Sequence, residues 1–206
     1  MKKGFLFIVI CLFLLPSCSL VFVKMYGFKR VKSVDDKMIA KFGSKYNIPP
    51  EDAYSIGTDY VEFIQTIDTT KFKQEKKNHY QPLQVLYYDT ESNLISYHVN
   101  CYVGGFPNLE WNKSNSFDVF PPTKQAPLDS VLSLQTHLEF LKPLSNTQKT
   151  SIKNYDYVVI IYWNKLMGRQ SKRFIKIIQK NLKLAVDKKI KVFYVNNDVL
   201  YLNDGL

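Results

Sequence analysis

Tyr155-Asp-Tyr-Val-Val-Ile-Ile-Tyr-Trp163 and Ile190-Lys-Val-Phe-Tyr-Val195 are two short apolar runs, rich in β-branched and aromatic residues. Such runs, with no polar alternation, are the pattern of strands buried on both faces. Between them, Gly168 breaks the first pattern and Ser171 to Val186 takes up a helical rhythm. Phe174, Ile177, Ile178, Leu182 and Ala185 fall on one side of that helix. Lys172, Arg173, Lys176, Lys180 and Lys183 fall largely on the other. Asp187-Lys-Lys turns the chain, and Asn196-Asn-Asp198 stops the second strand. Strand, helix and strand of these lengths predict a right-handed βαβ unit with parallel strands.

Upstream of this unit the pattern alternates between helix and strand. Ser33-Val-Asp-Asp36 reads as a helix start, with Ser33 as cap and two acids at the positive end of the dipole. Met38, Ile39, Phe42 and Tyr46 form its apolar face, and Pro49-Pro50 ends it. Thr58-Asp59 opens a second helix with Tyr60, Phe63, Ile64 and Ile67 on one side. These two helices are expected to cover one face of a sheet. Lys71 to Lys77 reads as a charged bend. Leu83 to Asp89, the turn Thr90 to Asn93, and Leu94 to Val103 form a hairpin. Gly104-Gly105-Phe106-Pro107 breaks it. Asn108 to Pro127 is a long irregular connection whose aromatics pack onto the body, and Leu132 to Leu141 is a short helix closed by Pro143. A polar loop, Ser145 to Asn154, leads to the central unit. The expected class is α/β, a mixed sheet flanked by helices.

The chain has 206 residues, of which 46% are hydrophobic and 15% aromatic. That is enough for one domain with a real core, and it excludes disorder. Net charge is +10, which favours anionic surfaces. No zinc-finger spacing, RNP pattern or arginine-rich arm points to nucleic acid.

Met1-Lys-Lys-Gly is a positive n-region, and Phe5 to Leu15 is an apolar segment too short to span a bilayer. Leu15-Pro16-Ser17-Cys18 follows. It resembles the lipobox of bacterial lipoproteins, although Pro16 is less usual at its place. The chain as a whole resembles bacterial lipoproteins that carry no assigned activity. The resemblance implies a signal peptide over 1–17, a lipidated Cys18 and tether over 18–33, and a single α/β domain over 34–206. Removal of Lys2 and Lys3 would leave a mature charge nearer +8. The implied location is the cell envelope, lipid-anchored to a bacterial membrane on its periplasmic face or at the cell surface. Cys11 would leave with the signal, and Cys101 would be the one free thiol. Dithiol redox chemistry within the chain is then excluded.

Tyr162-Trp163-Asn-Lys-Leu-Met167-Gly168-Arg169-Gln170 resembles the first strand-to-helix junction of thioredoxin-like proteins. In that family an aromatic-Trp pair ends the strand and a Cys-x-x-Cys opens the helix. Here Met167 and Gln170 stand where the two cysteines would be. The resemblance covers 155–198 and implies a reduced thioredoxin-like fold without thiol chemistry. The family's later hairpin and cis-proline loop have no counterpart after Asp198.

Carboxyl ends of parallel strands are where ligands bind in open α/β sheets. Trp163, Asn164, Asn196, Asn197 and Asp198 converge there, and Gly168, Arg169, Gln170 and Ser171 lie at a helix N-terminus that attracts anions. These are the candidate ligand or anion site. The competing reading is that Asn and Asp end a strand and Ser171 caps a helix. His98 and Cys101, three apart on a strand, point to opposite faces, while His79 and His137 are isolated. No metal site, cofactor or catalytic set is expected. Cys101 reads as a buried thiol, and Gly104-Gly105 fits neither a P-loop nor a dinucleotide fingerprint. The expected function is a non-catalytic binding or assembly module, held to the membrane through Cys18, with a protein partner in the envelope. Its contact surfaces would be the aromatic loop Phe106 to Phe120 and the basic helix. The alternatives are an immunity-type lipoprotein neutralising a periplasmic toxin, and an enzyme with an unrecognised site at the sheet's carboxyl edge.

Overall fold

The computed structural model describes residues 27–29, 31–101, 110–145 and 152–202. The signal segment, Cys18, Gly104-Gly105 and Phe106 lie outside the described residues. Five helices and six strands follow in the order α1 (Asp36–Lys45), β1 (Ala53–Ser55), α2 (Thr58–Thr66), α3 (Lys73–His79), β2 (Gln84–Tyr88), β3 (Leu94–Val99), α4 (Leu134–Phe140), β4 (Lys142–Pro143), β5 (Tyr157–Trp163), α5 (Gly168–Leu182) and β6 (Ile190–Asn196). Short 3-10 turns occupy Pro50–Asp52, Ser116–Asp118 and Asp198–Tyr201.

The strands form one sheet in the order β3-β2-β5-β6-β1-β4. β5 and β6 are parallel, pairing Tyr157 with Ile190 through to Trp163 with Asn196. β1 runs parallel to β6, while β2 is antiparallel to both β5 and β3. The fold is therefore mixed α/β, with the βαβ unit at its centre. No strand follows β6 among the described residues. The hairpin expected over Leu83 to Val103 is present as β2–β3, and it flanks β5.

Side chains of β5 alternate strictly between two cores. Val158, Ile160 and Tyr162 join Tyr60 and Ile64 of α2 and Leu134 of α4 on one face. Val159, Ile161 and Trp163 join Ile39 and Tyr46 of the α1 end and Phe174, Ile175 and Ile178 of α5 on the other. The first two helices thus cover opposite faces, not one. β1 lies between them in sequence and carries the chain across the sheet. The charged stretch expected as a bend is helix α3 from Lys73 onward, its hydrophobic stripe replaced by two buried polar residues, Asn78 and His79. Asp35, not Ser33, caps α1 by accepting from the Met38 N–H at 2.7 Å. Pro143 does not close α4. It lies on edge strand β4, where a missing N–H is tolerated.

The connection 110–127 packs onto the body as expected, and one buried amide fastens it. Asn181 of α5 donates to the carbonyls of Phe117 and Val119 at 2.9 and 2.6 Å. Its Oδ1 accepts from the Tyr87 hydroxyl at 3.1 Å. Trp111 lies against Phe174 with ring centroids 4.0 Å apart. Asn181→Ala leaves the buried Phe117 carbonyl, the part-buried Val119 carbonyl and the Tyr87 hydroxyl unpaired. It should cost about 1–3 kcal/mol, read as a lowered urea midpoint, with Trp111 fluorescence shifting to the red.

Candidate functional site

The carboxyl ends of β5 and β6 do bring the predicted residues together. Trp163, Asn164, Gln170, Ser171, Asn196, Asn197 and Asp198 are all buried, and Arg169 is exposed. The polar atoms of Asn164, Ser171, Asn196, Asn197 and Asp198 are spent on one another and on the backbone, whereas Trp163 Nε1 and Gln170 Oε1 are buried without a partner. Asn164 donates to the Pro82 carbonyl at 2.8 Å and to Asn197 Oδ1 at 3.0 Å, and it accepts from the Met167 N–H at 2.7 Å. Ser171 donates its hydroxyl to the Asn164 carbonyl at 2.6 Å. Asp198 accepts from the N–H groups of Lys165 and Leu166 at 2.8 and 3.1 Å, and from Asn196 Nδ2 at 2.8 Å. This is a clamp on the loop between β5 and α5. Its carboxylate is held above the ordinary aspartate range by burial, partly offset by those donors.

The start of α5 is also covered. The Lys29 N–H donates to the Leu166 carbonyl at 2.8 Å. A Cβ on Gly168, where φ is +25°, would lie 2.8 Å from the Gly27 carbonyl oxygen. One on Gly27, at φ +74°, would lie 2.8 Å from the Arg169 Cβ. Both positions need glycine because backbone lies on backbone there. An anion approaching the helix terminus meets the 27–29 segment first. Trp163 packs edge-on to Tyr46, with centroids 5.4 Å apart. Burial, then the Asp198 charge, pushes the Tyr46 phenol up to about 12.

The histidines are placed differently from the sequence expectation. His79 and His137 are not isolated: their rings lie 5.5 Å apart in the core. His79 Nε2 is 3.0 Å from Asp129 Oδ1, and His137 Nδ1 is 2.7 Å from the Tyr162 hydroxyl. Burial and the neighbouring His79 drive the His137 pKa well down. Among the described residues no three His, Cys, Asp or Glu side chains are grouped so as to hold a metal ion. Cys101 is half-buried, not buried, and burial raises its thiol pKa. That is the opposite of what a nucleophilic thiolate needs.

Open space lies elsewhere. A cavity of about 670 Å³ is lined by His98, Trp111, Ser114, Ser116, Thr123, Gln125 and the ammoniums of Lys113 and Lys124. A second, of about 610 Å³, shares Glu110, Trp111 and Lys113 with the first, and is closed by Arg173, Lys176 and Lys180 of α5. Together they form a trough between loop and helix, bordered by five cations. Trp111 lines both cavities, and Trp111 and Phe117 are both buried. Arg173, Lys176 and Lys180 were visible in the helical pattern, whereas Lys113 and Lys124 carried no sequence signal.

No protein-family model, no curated protein and no solved structure matches the chain. Among the described residues no helix is long and apolar enough to cross a membrane.

His98 is buried, with Nε2 unpaired, and burial lowers its pKa from 6.5 to about 4. Between those values the unfolded chain binds the extra proton, so stability is full above pH 6.5 and is lost as pH falls toward 4. A shift of that size is worth roughly 3 kcal/mol. His137 acts in the same direction. Urea midpoints measured from pH 7 to 4 should fall steadily, and His98→Gln should flatten that slope.

Proposed function

We propose that this chain is an exported, lipid-anchored envelope protein that acts as a non-catalytic binding module, without thiol-disulfide activity. Its partner is an acidic protein surface, received in the trough between the 110–125 loop and α5. The observation that carries this reading is the convergence of Lys113, Lys124, Arg173, Lys176 and Lys180 around two joined cavities. Their lining adds Trp111, Val119 and Ile177 as apolar surface and a single carboxylate, Glu110, so cations outnumber acids five to one. Such a surface attracts acidic partners from a distance and fixes their orientation on arrival. At the carboxyl edge of the sheet most polar groups pair with one another, which favours a structural clamp there over a catalytic site, with Trp163 Nε1 and Gln170 Oε1 the exceptions.

The anchor is tested by metabolic labelling with a palmitate analogue. Wild-type protein should carry the label and Cys18→Ala should not; label that persists in the variant removes the anchor. The binding role is tested by mass spectrometry of what co-purifies with the detergent-solubilised protein, using an unrelated lipoprotein as control. One stoichiometric acidic partner is expected. The combined variant Arg173→Glu, Lys176→Glu and Lys180→Glu should weaken it at least tenfold, about 1.4 kcal/mol. Binding indifferent to that charge reversal, or no enriched partner, would sink the trough as the site. A partner with toxic activity would identify the immunity-type lipoprotein.

A further inference from the structure

Three ammonium groups gather around one half-buried ring on the face where the N-terminal segment joins the domain. Lys29, Lys45 and Lys165 lie 5.0, 5.1 and 5.5 Å from the centroid of Phe42. They come from three separate parts of the chain: the 27–29 segment, the last turn of α1, and the loop before α5. Each is within 5.5 Å of the same point, so no two are farther apart than about 11 Å, close to the roughly 8 Å screening length of physiological salt. Their mutual repulsion is partly relieved by the ring's negative face and, at Lys165, by the charge of Asp198. None of the three ion pairs found among the described residues involves them. Lys41, exposed one turn before Lys45, adds a fourth charge to the same end of α1.

We infer that this lysine cluster is the surface on which the domain rests against a bilayer containing anionic headgroups. The inference rests on the lipid anchor proposed above. Gly27 lies nine positions after Cys18, and an extended chain spans at most 3.3–3.6 Å per residue, so the tether reaches about 32 Å. The point where that tether joins the domain is the cluster itself. The anchor therefore holds these charges near the headgroups, and the charges give the domain a preferred face. Phe42, half-buried between the lysines, presents its ring at headgroup depth, where aromatic residues settle. α5 starts at this face, and Gln179, beside Lys180, donates to the Asn47 carbonyl just past α1 at 2.9 Å. Arg173 to Lys180 lie five to twelve residues beyond Gly168, about 8–18 Å along the helix. The trough cations are therefore set back along α5 from the Lys29 and Lys165 end of the cluster.

The test is acylation footprinting of lysines in the full mature protein. It is reconstituted in phosphatidylcholine vesicles, in vesicles with one third phosphatidylglycerol, and in neutral detergent. Each lysine is read by mass spectrometry, with Lys180 and Lys183 as internal controls. Lys29, Lys45 and Lys165 should react at least threefold more slowly in the anionic vesicles alone, and 0.5 M salt should restore their rate. Equal rates in both vesicle types would overturn the inference. So would protection that persists in detergent, which would mean a second copy or another protein covers the face. The N-terminal peptide from the same digests reports the anchor separately. A lipid-free Cys18 with the footprint intact removes the anchor and leaves the docking face. A lipidated Cys18 without the footprint does the reverse. Lys45→Glu with Lys165→Glu, both at the surface, should abolish the residual protection of Lys29.

Discussion

Strand β5 has no polar face. From Val158 to Trp163 every side chain is buried, so apolar cover is required on both sides of the sheet at once. One helix cannot supply it. α5 returns over one face because a right-handed crossover leaves it there. α2 and α4 close the other. The chain reaches that second face by passing β1 through the sheet between α1 and α2. The edge hairpin β2–β3 and the two-residue strand β4 complete a surface whose centre was fixed by six consecutive residues.

The central unit was legible because its two periods are long and clean. The same reasoning failed wherever an element was too short or too polar to show a period. β1 has three residues and β4 two, and neither gives an alternation to read. α3, Lys73–His79, has no apolar stripe. Its buried His79 reaches across the fold to Asp129, fifty positions away, while Asn78 pairs with Gln74 inside the helix. The placement of α1 and α2 on opposite faces depended on seeing β1. The His79–His137 contact depended on seeing both α3 and α4 on the same side.

The carboxyl edge of the sheet shows why residue type alone does not name a ligand site. Asn164, Asn197 and Asp198 are what a binding site at that position would use. They are also what a loop needs when it must turn from a buried strand into a buried helix with few solvent contacts. The difference lies in whether the donors and acceptors remain unspent, and pairings such as Asn164 with the Pro82 carbonyl, made 82 positions apart, are invisible in sequence. Surface cations such as Lys29 and Lys165 pose the complementary problem. Scattered along the chain they look like solubilising charge, and only folding sets them around one ring.

Asn181 has a further consequence. Its amide ties the loop at Phe117 and Val119 to the helix that carries Arg173, Lys176 and Lys180, so both walls of the trough belong to one rigid body. A receptor preorganised in this way loses little conformational freedom on association, and nearly all the ordering cost falls on the incoming partner. Affinity would then follow how stiff the partner's own acidic segment is. A partner that presents its carboxylates from a folded element should hold longer than one that presents the same charges on a flexible tail.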